Sequence, residues 1–284
     1  MMLAREDDSR IFSRDIRLNV MSLQETKIDE LPELWLSLSL NGEWNKGQSG
    51  ELFGAIQANF AEEQADSRYH LLETLFNRFA KSKTFGSLID VSDVNIEELN
   101  QLYETLLELS VGSDNVRRVA AEKLLPIVHQ AVVLAGKYDA VIANPPYMGR
   151  NYMNKDVRNF IDENYSFYKA DFYSAFIIKI FELTKDDGYV SLMSPFTWMN
   201  LSSFEKLREK ILTSHTLLSI VQPEYHSFFD SAYVPICAFN IFKPHLSYNA
   251  KFIDLSMFYG EDKQAPNFLK ALTDEFCSWL YINN

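Results

Sequence analysis

Apolar residues recur at helical spacing through residues 1–137. Leu71, Leu72, Leu75, Phe76 and Phe79 share one face, as do Leu99, Leu102, Tyr103, Leu106, Leu107 and Leu109. Ala120 to Leu134 has the same rhythm, with Pro126 placed to kink or break the helix. Gly42 to Gly54 and Val111 to Asn115 read as loops from their polar, turn-forming content. These signals predict a mainly helical segment without internal repeats.

At Tyr138 the rhythm changes to alternating strand and helix. Tyr138 to Ala143 is a short strand, followed by a polar stretch to Tyr168. Asp171 is placed to cap a helix whose apolar face is Phe172, Phe176, Ile177, Ile180 and Phe181. Lys185 to Gly188 reads as a turn, and Tyr189 to Met193 as a strand closed by Pro195. Ser202 to Glu205 has capping-box spacing for a helix to about Thr213. Leu217 to Val221 and Val234 to Phe242 are further strands. The order predicts an α/β fold: a mainly parallel sheet with crossover helices and an added edge strand.

Composition narrows this picture. A chain of 284 residues has ample length for a core, as one large domain or two small ones. No apolar run reaches spanning length, and Arg5, Glu6, Asp7 and Asp8 interrupt any secretory signal, so no membrane partner is expected. Cys237 and Cys277 stand far apart and the five histidines show no ligand spacing, which implies free thiols in a reducing cytoplasm and no metal. The net charge of −12 argues against a complete, independent DNA binder, since phosphate contacts dominate such affinity. Basic residues form only small groups: Arg117 with Arg118; Arg150 with Lys155 and Arg158; Lys206 with Arg208 and Lys210.

The densest chemical signal is Tyr138 to Tyr147, Tyr-Asp-Ala-Val-Ile-Ala-Asn-Pro-Pro-Tyr. A strand runs directly into Asn144-Pro145-Pro146-Tyr147. The prolines fix φ and restrict the residue before each, so the loop is stiff before any ligand arrives. Asn-Pro also starts ordinary turns, and paired prolines often only end a strand.

From about Tyr138 to Phe242 the chain resembles the amino-methyltransferases of DNA, and more closely the adenine-specific methyltransferases of the BREX phage-defence systems. The resembling segments are the Asn-Pro-Pro-Tyr run, Lys169 to Phe176, Asp187 to Met199 and Phe229 to Val234. The opening Met1 to Arg5 looks like the tail of a helix in that family. The resemblance implies an incomplete Rossmann-like, S-adenosylmethionine-dependent methyltransferase sheet. It also implies methyl transfer to N6 of an adenine flipped out of double-stranded DNA, in phage defence or restriction-modification. Asn144 and the Pro145 carbonyl would accept the two amino hydrogens and so free the nitrogen lone pair. Pro146 would stiffen the catalytic loop, and Tyr147 would stack on the base. Phe196 and Asp171 are further candidates for the base pocket; packing for Phe196 and helix capping for Asp171 stand as alternatives. Asn144, Phe85 and Asp90 are candidates for the cofactor side, although Gly86 also reads as a helix stop.

The family's Gly-rich cofactor loop is expected upstream of Met1, which leaves the cofactor site incomplete. Gly47, Gly50 and Gly54 lie in a polar loop rather than between a strand and a helix. Ser203 and Lys206 match a Ser-x-x-Lys pattern that capping already explains. The expected organisation is a helical segment 1–137, a catalytic core 138–246 and a C-terminal region from 247 to 284. Two other functions stay open: methylation of a protein glutamine or another planar nitrogen, and a non-catalytic assembly module, possible partners being other phage-defence proteins.

Overall fold

The computed structural model describes residues 20–41, 65–225, 235–274 and 277–282. The loop expected at Gly42 to Gly54, the Met1 to Arg5 helix tail and the Phe229 to Val234 segment lie outside them. The chain forms two compact units, residues 1–83 with 101–130, and residues 84–100 with 131–284.

The described residues of the first unit are mainly helical. Leu31–Leu38 (α1) and Ser67–Phe79 (α2) lie wholly within it. Trp35 is buried on α1; on α2 the buried residues include Leu72, Leu75, Phe76 and Phe79, the face that the periodicity marks. The Asp66 carboxylate caps α2 by accepting from the Arg68 and Tyr69 amides. Ser82–Phe85 (α3) ends at Gly86, whose φ of +58° places it in the left-handed region, so the expected helix stop is present. Ile96–Ser110 (α4) and Asn115–Ala135 (α5) follow. Pro126 lies inside α5 without breaking it.

Among the described residues, the second unit is built on six strands: Tyr138–Ala143 (β1), Thr184–Pro195 (β2), Thr216–Gln222 (β3), Ile236–Phe242 (β4), Lys251–Asp254 (β5) and Leu280–Ile282 (β6). Their order is β1-β2-β4-β3-β5-β6. The pairs β1–β2 and β3–β5 are parallel, whereas β2–β4, β3–β4 and β5–β6 are antiparallel. The sheet is therefore mixed rather than mainly parallel. β4, the last strand read from the sequence, lies inside the sheet, because it returns antiparallel into the space between β2 and β3.

Lys155–Asn164 (α6), Phe172–Leu183 (α7), Glu205–Ser214 (α8) and Glu261–Thr273 (α9) complete the unit. Val190, Leu192, Ile220, Phe239 and Ile241 bury one sheet face against Tyr173, Ile177 and Ile180 of α7 and Leu207 and Ile211 of α8. The alternate residues Ser191, Asn240 and Ser219 form a polar ladder, with hydrogen bonds of 2.6 and 2.9 Å. Two local expectations fail. Lys185 to Gly188 is not a free turn but an irregularity at the start of β2, between the pairs Tyr138–Thr184 and Ala140–Tyr189. Helix α8 has Phe204 at its N-cap with no side-chain cap, so the Ser202 capping box does not form; Arg208 instead donates to the Trp198 and Leu201 carbonyls.

Candidate active site

Strand β1 delivers the Asn-Pro-Pro-Tyr run to the edge of the sheet. Because β1 and β2 are parallel, Asn144 and Phe196 emerge at the same end, one after Ala143 and the other after Pro195. Ligands of open α/β sheets bind outside this carboxyl end. Asn144 is exposed, Pro145 is buried and Tyr147 is half-buried. A buried proline thus roots the loop and leaves the amide beside it accessible.

Asp171 fixes the loop from the neighbouring segment. Its Oδ1 accepts from the Met148 amide at 3.0 Å and from the Tyr173 amide at 3.3 Å. Phe172 N donates to the Met148 carbonyl at 2.9 Å, and Gly149 pairs with Asp171 in an antiparallel bridge. Asp171 is therefore both the cap of α7 and a clamp on the residue after Tyr147. Burial raises its carboxyl pKa, against the lowering effect of these backbone donors. No direct contact with a base is required for this role.

The Tyr147 hydroxyl donates to Asn144 Oδ1 at 2.8 Å. Burial pushes that phenol up to about 12, so it keeps its proton and acts as donor at neutral pH. Its ring meets Tyr173 edge-on, with centroids 6.4 Å apart. The buried Tyr173 hydroxyl lies 3.3 Å from Thr197 Oγ1. Cys237, paired across the strands with Ser194, is also buried, and burial raises its thiol to about 11. It is an inert thiol at neutral pH rather than a nucleophile. Tyr173 and Thr197 had no separate role in the sequence, although both fall in segments that carry the resemblance.

Phe196 reaches the same sheet end, where its ring stacks on Tyr225 at 6.1 Å and 19°. The other cofactor-side candidates, Phe85 and Asp90, lie elsewhere in this unit. Phe85 stacks on Phe160 of α6 at 4.2 Å. Asp90 accepts from the Ser92 amide and hydroxyl and lies 3.4 Å from the buried ammonium of Lys179. The Ser92 donors and the Lys179 charge outweigh desolvation and hold its carboxyl below the ordinary value. Among the described residues, no group of His, Cys, Asp and Glu is arranged to hold a metal ion. No described helix is long and apolar enough to cross a membrane.

Residues 18–229 match the Eco57I restriction-modification methylase family. The chain belongs to this family. The adenine-specific methyltransferase BrxX of Escherichia coli O9:H4 (strain HS) is 37% identical over 220 residues, 78% of this chain. The adenine-specific methyltransferase PglX of Lacticaseibacillus casei (strain Zhang) is 26% identical over 219 residues, 74% of this chain. The chain spans 18% of the length of each of these relatives. Among solved structures, a type I restriction-modification methyltransferase subunit of Streptococcus thermophilus is similar over 55% of this chain and 39% of that one. Its identity is 15% and the TM-score 0.37. The Eco57I-family match spans the Asn-Pro-Pro-Tyr loop, Asp171 and Phe196.

Proposed function

We propose that this chain carries the base-activating part of an adenine-N6 DNA methyltransferase that uses S-adenosylmethionine, in restriction-modification or phage defence. The observation that carries the reading is the placement of Asn144. Asn144 stands exposed at the carboxyl end of β1, on a loop held by buried Pro145 and by Asp171.

The exocyclic nitrogen of adenine is a poor nucleophile because its lone pair is delocalised into the ring. Asn144 Oδ1 accepts one amino hydrogen, displacing the Tyr147 hydroxyl, and the Pro145 carbonyl accepts the other. The nitrogen then becomes pyramidal and its lone pair is localised. Tyr147 presents a ring to the base taken from its stack. Bound S-adenosylmethionine supplies the electrophilic sulfonium methyl. Asn144, Phe85 and Asp90 are the candidates for holding it. These residues fit part of such a site: Asp90 offers an ionised carboxylate, but no two described glycines are closely spaced between a strand and a helix.

The test is adenine methylation by a protein joining this chain to the family's Gly-rich cofactor segment, with and without Asn144→Ala. The variant is expected to lose nearly all methyl transfer while retaining cofactor binding. Removing one acceptor from the developing positive nitrogen costs on the order of 3 kcal/mol, by analogy with an oxyanion-hole donor. Unchanged transfer would overturn the reading.

A further inference from the structure

The turn Arg150–Tyr152, directly after the candidate base loop, carries a large ring that contributes little to the fold. Tyr152 is 86% exposed, whereas its neighbour Met153 is 4% exposed and packs with Val157 and Ile161. The turn is nevertheless firmly built. Tyr152 N donates to the Gly149 carbonyl at 2.9 Å, and Arg150 N to the Ala170 carbonyl at 3.3 Å. The Arg150 guanidinium forks onto Asp162 with two bonds of 2.7 Å. Arg158 donates to the Arg150 and Met153 carbonyls. The ring is thus held out on a fixed support rather than on a loose loop.

Cations gather around this support. Arg150, Lys169 and Arg158 all act on one carboxylate, Asp162, and together hold it below the ordinary carboxylate range. Lys169 Nζ lies 3.9 Å from Asp162. Three cations thus meet at one acid, in a segment (148–171) whose four basic and four acidic side chains balance within a chain of net charge −12. An exposed aromatic beside cations fits a nucleic-acid strand, which offers both stacking faces and phosphates.

Resting on the adenine-methylation reading, we propose that this turn contacts the DNA strand beside the extruded base. Tyr152 enters the gap left in the base stack, and the cations gathered at Asp162 hold the adjoining phosphates. The Met148–Asp171 clamp ties this contact to the base loop, so stack and loop are addressed by one rigid segment.

The experiment titrates fluorescein-labelled DNA with the full 284-residue chain and follows anisotropy at low salt. The probes are a duplex with one mispaired adenine, the matched duplex, a duplex with a mispaired thymine, and the single strand. Tyr152→Ala is expected to weaken binding to the mispaired-adenine duplex by about 5- to 150-fold, the range of one base–aromatic stack. Its binding to the single strand, which has no gap to fill, stays as in the wild type. Tyr152→Trp restores duplex binding. Lys169→Gln lowers the slope of log affinity against log salt by about 0.9, one phosphate contact. An unaltered Tyr152→Ala affinity for the duplex, an equal loss on the single strand, or no duplex binding by the wild type would overturn the inference. If adenine and thymine mispairs bind alike yet Tyr152→Ala still weakens both, the adenine reading fails and the wedge stands. If an adenine preference survives while Tyr152→Ala binds normally, the wedge alone fails.

Discussion

At Tyr147 one side chain has separable parts, a ring against Tyr173 and a hydroxyl on Asn144. On the proposed reading the hydroxyl occupies the acceptor that an adenine amino group would take, so Tyr147→Phe removes a competitor and leaves the ring. Methyl transfer by the joined protein is expected to survive that change. Tyr147→Ala should weaken the hold on an extruded base by about 1–3 kcal/mol, and less on a mispaired adenine, whose flipping costs less. Equal defects on paired and mispaired substrates would leave Tyr147 a structural residue only. Asp171 permits a second comparison. Asp171→Asn keeps an acceptor for the Met148 and Tyr173 amides, whereas Asp171→Ala strands both donors and should cost about 1–3 kcal/mol in urea unfolding. The Asp171 pKa is raised on folding from 3.8, so the folded state holds its proton more tightly. Its contribution is full below 3.8 and is lost as pH rises through the folded value. Asp171→Asn should therefore remove a fall in stability over that window, read as the difference in urea midpoint between the two proteins across pH. The Asn-Pro-Pro-Tyr run was legible because strand period and proline chemistry are local. The clamp was not, because the Met148 amide lies 23 residues from the carboxylate that holds it.

At the scale of elements, periodicity located the strands but not their neighbours. Tyr138 to Ala143 and the Asp171-capped helix appear where the apolar pattern put them. The position of β4 depends instead on how the chain returns after β3, a long-range choice that alternation does not encode. The same limit explains the lost turn at Lys185 to Gly188, whose residues are drawn into the start of β2 beside β1. Gly188 makes that junction possible. A Cβ there would stand 2.6 Å from Thr184 Cγ2 and 2.8 Å from the Asp139 carbonyl of β1. Neither atom is the far end of a flexible side chain. Gly188→Ala should therefore destabilise the protein by about 1–3 kcal/mol, the usual cost of overpacking, instead of gaining the ~0.4–1 kcal/mol of a tolerated alanine. The urea midpoint checks the sign.

For the whole molecule, the question is how much of a cofactor site one 284-residue chain contains. Close backbone approach to a bound cofactor is normally supplied by closely spaced glycines between a strand and a helix. The described glycines stand at 86, 112, 136, 149, 188 and 260, too far apart to form such a turn. Lys179 engages the Asp90 carboxylate from the buried side, and Phe160 covers one face of Phe85. On the proposed reading the base side is better supplied: Asn144 is exposed, the loop is clamped, and Tyr147 keeps its proton. This asymmetry separates the two ligands experimentally. Calorimetric titration of the isolated chain with S-adenosylmethionine should give no saturable one-to-one isotherm in the micromolar range. Joining the Gly-rich segment should create one, and Asn144→Ala in the joined protein should retain it. A micromolar one-to-one isotherm from the isolated chain would place a complete cofactor site within these residues. Phe85→Ala and Asp90→Asn would then show whether the candidates named for the cofactor side hold it.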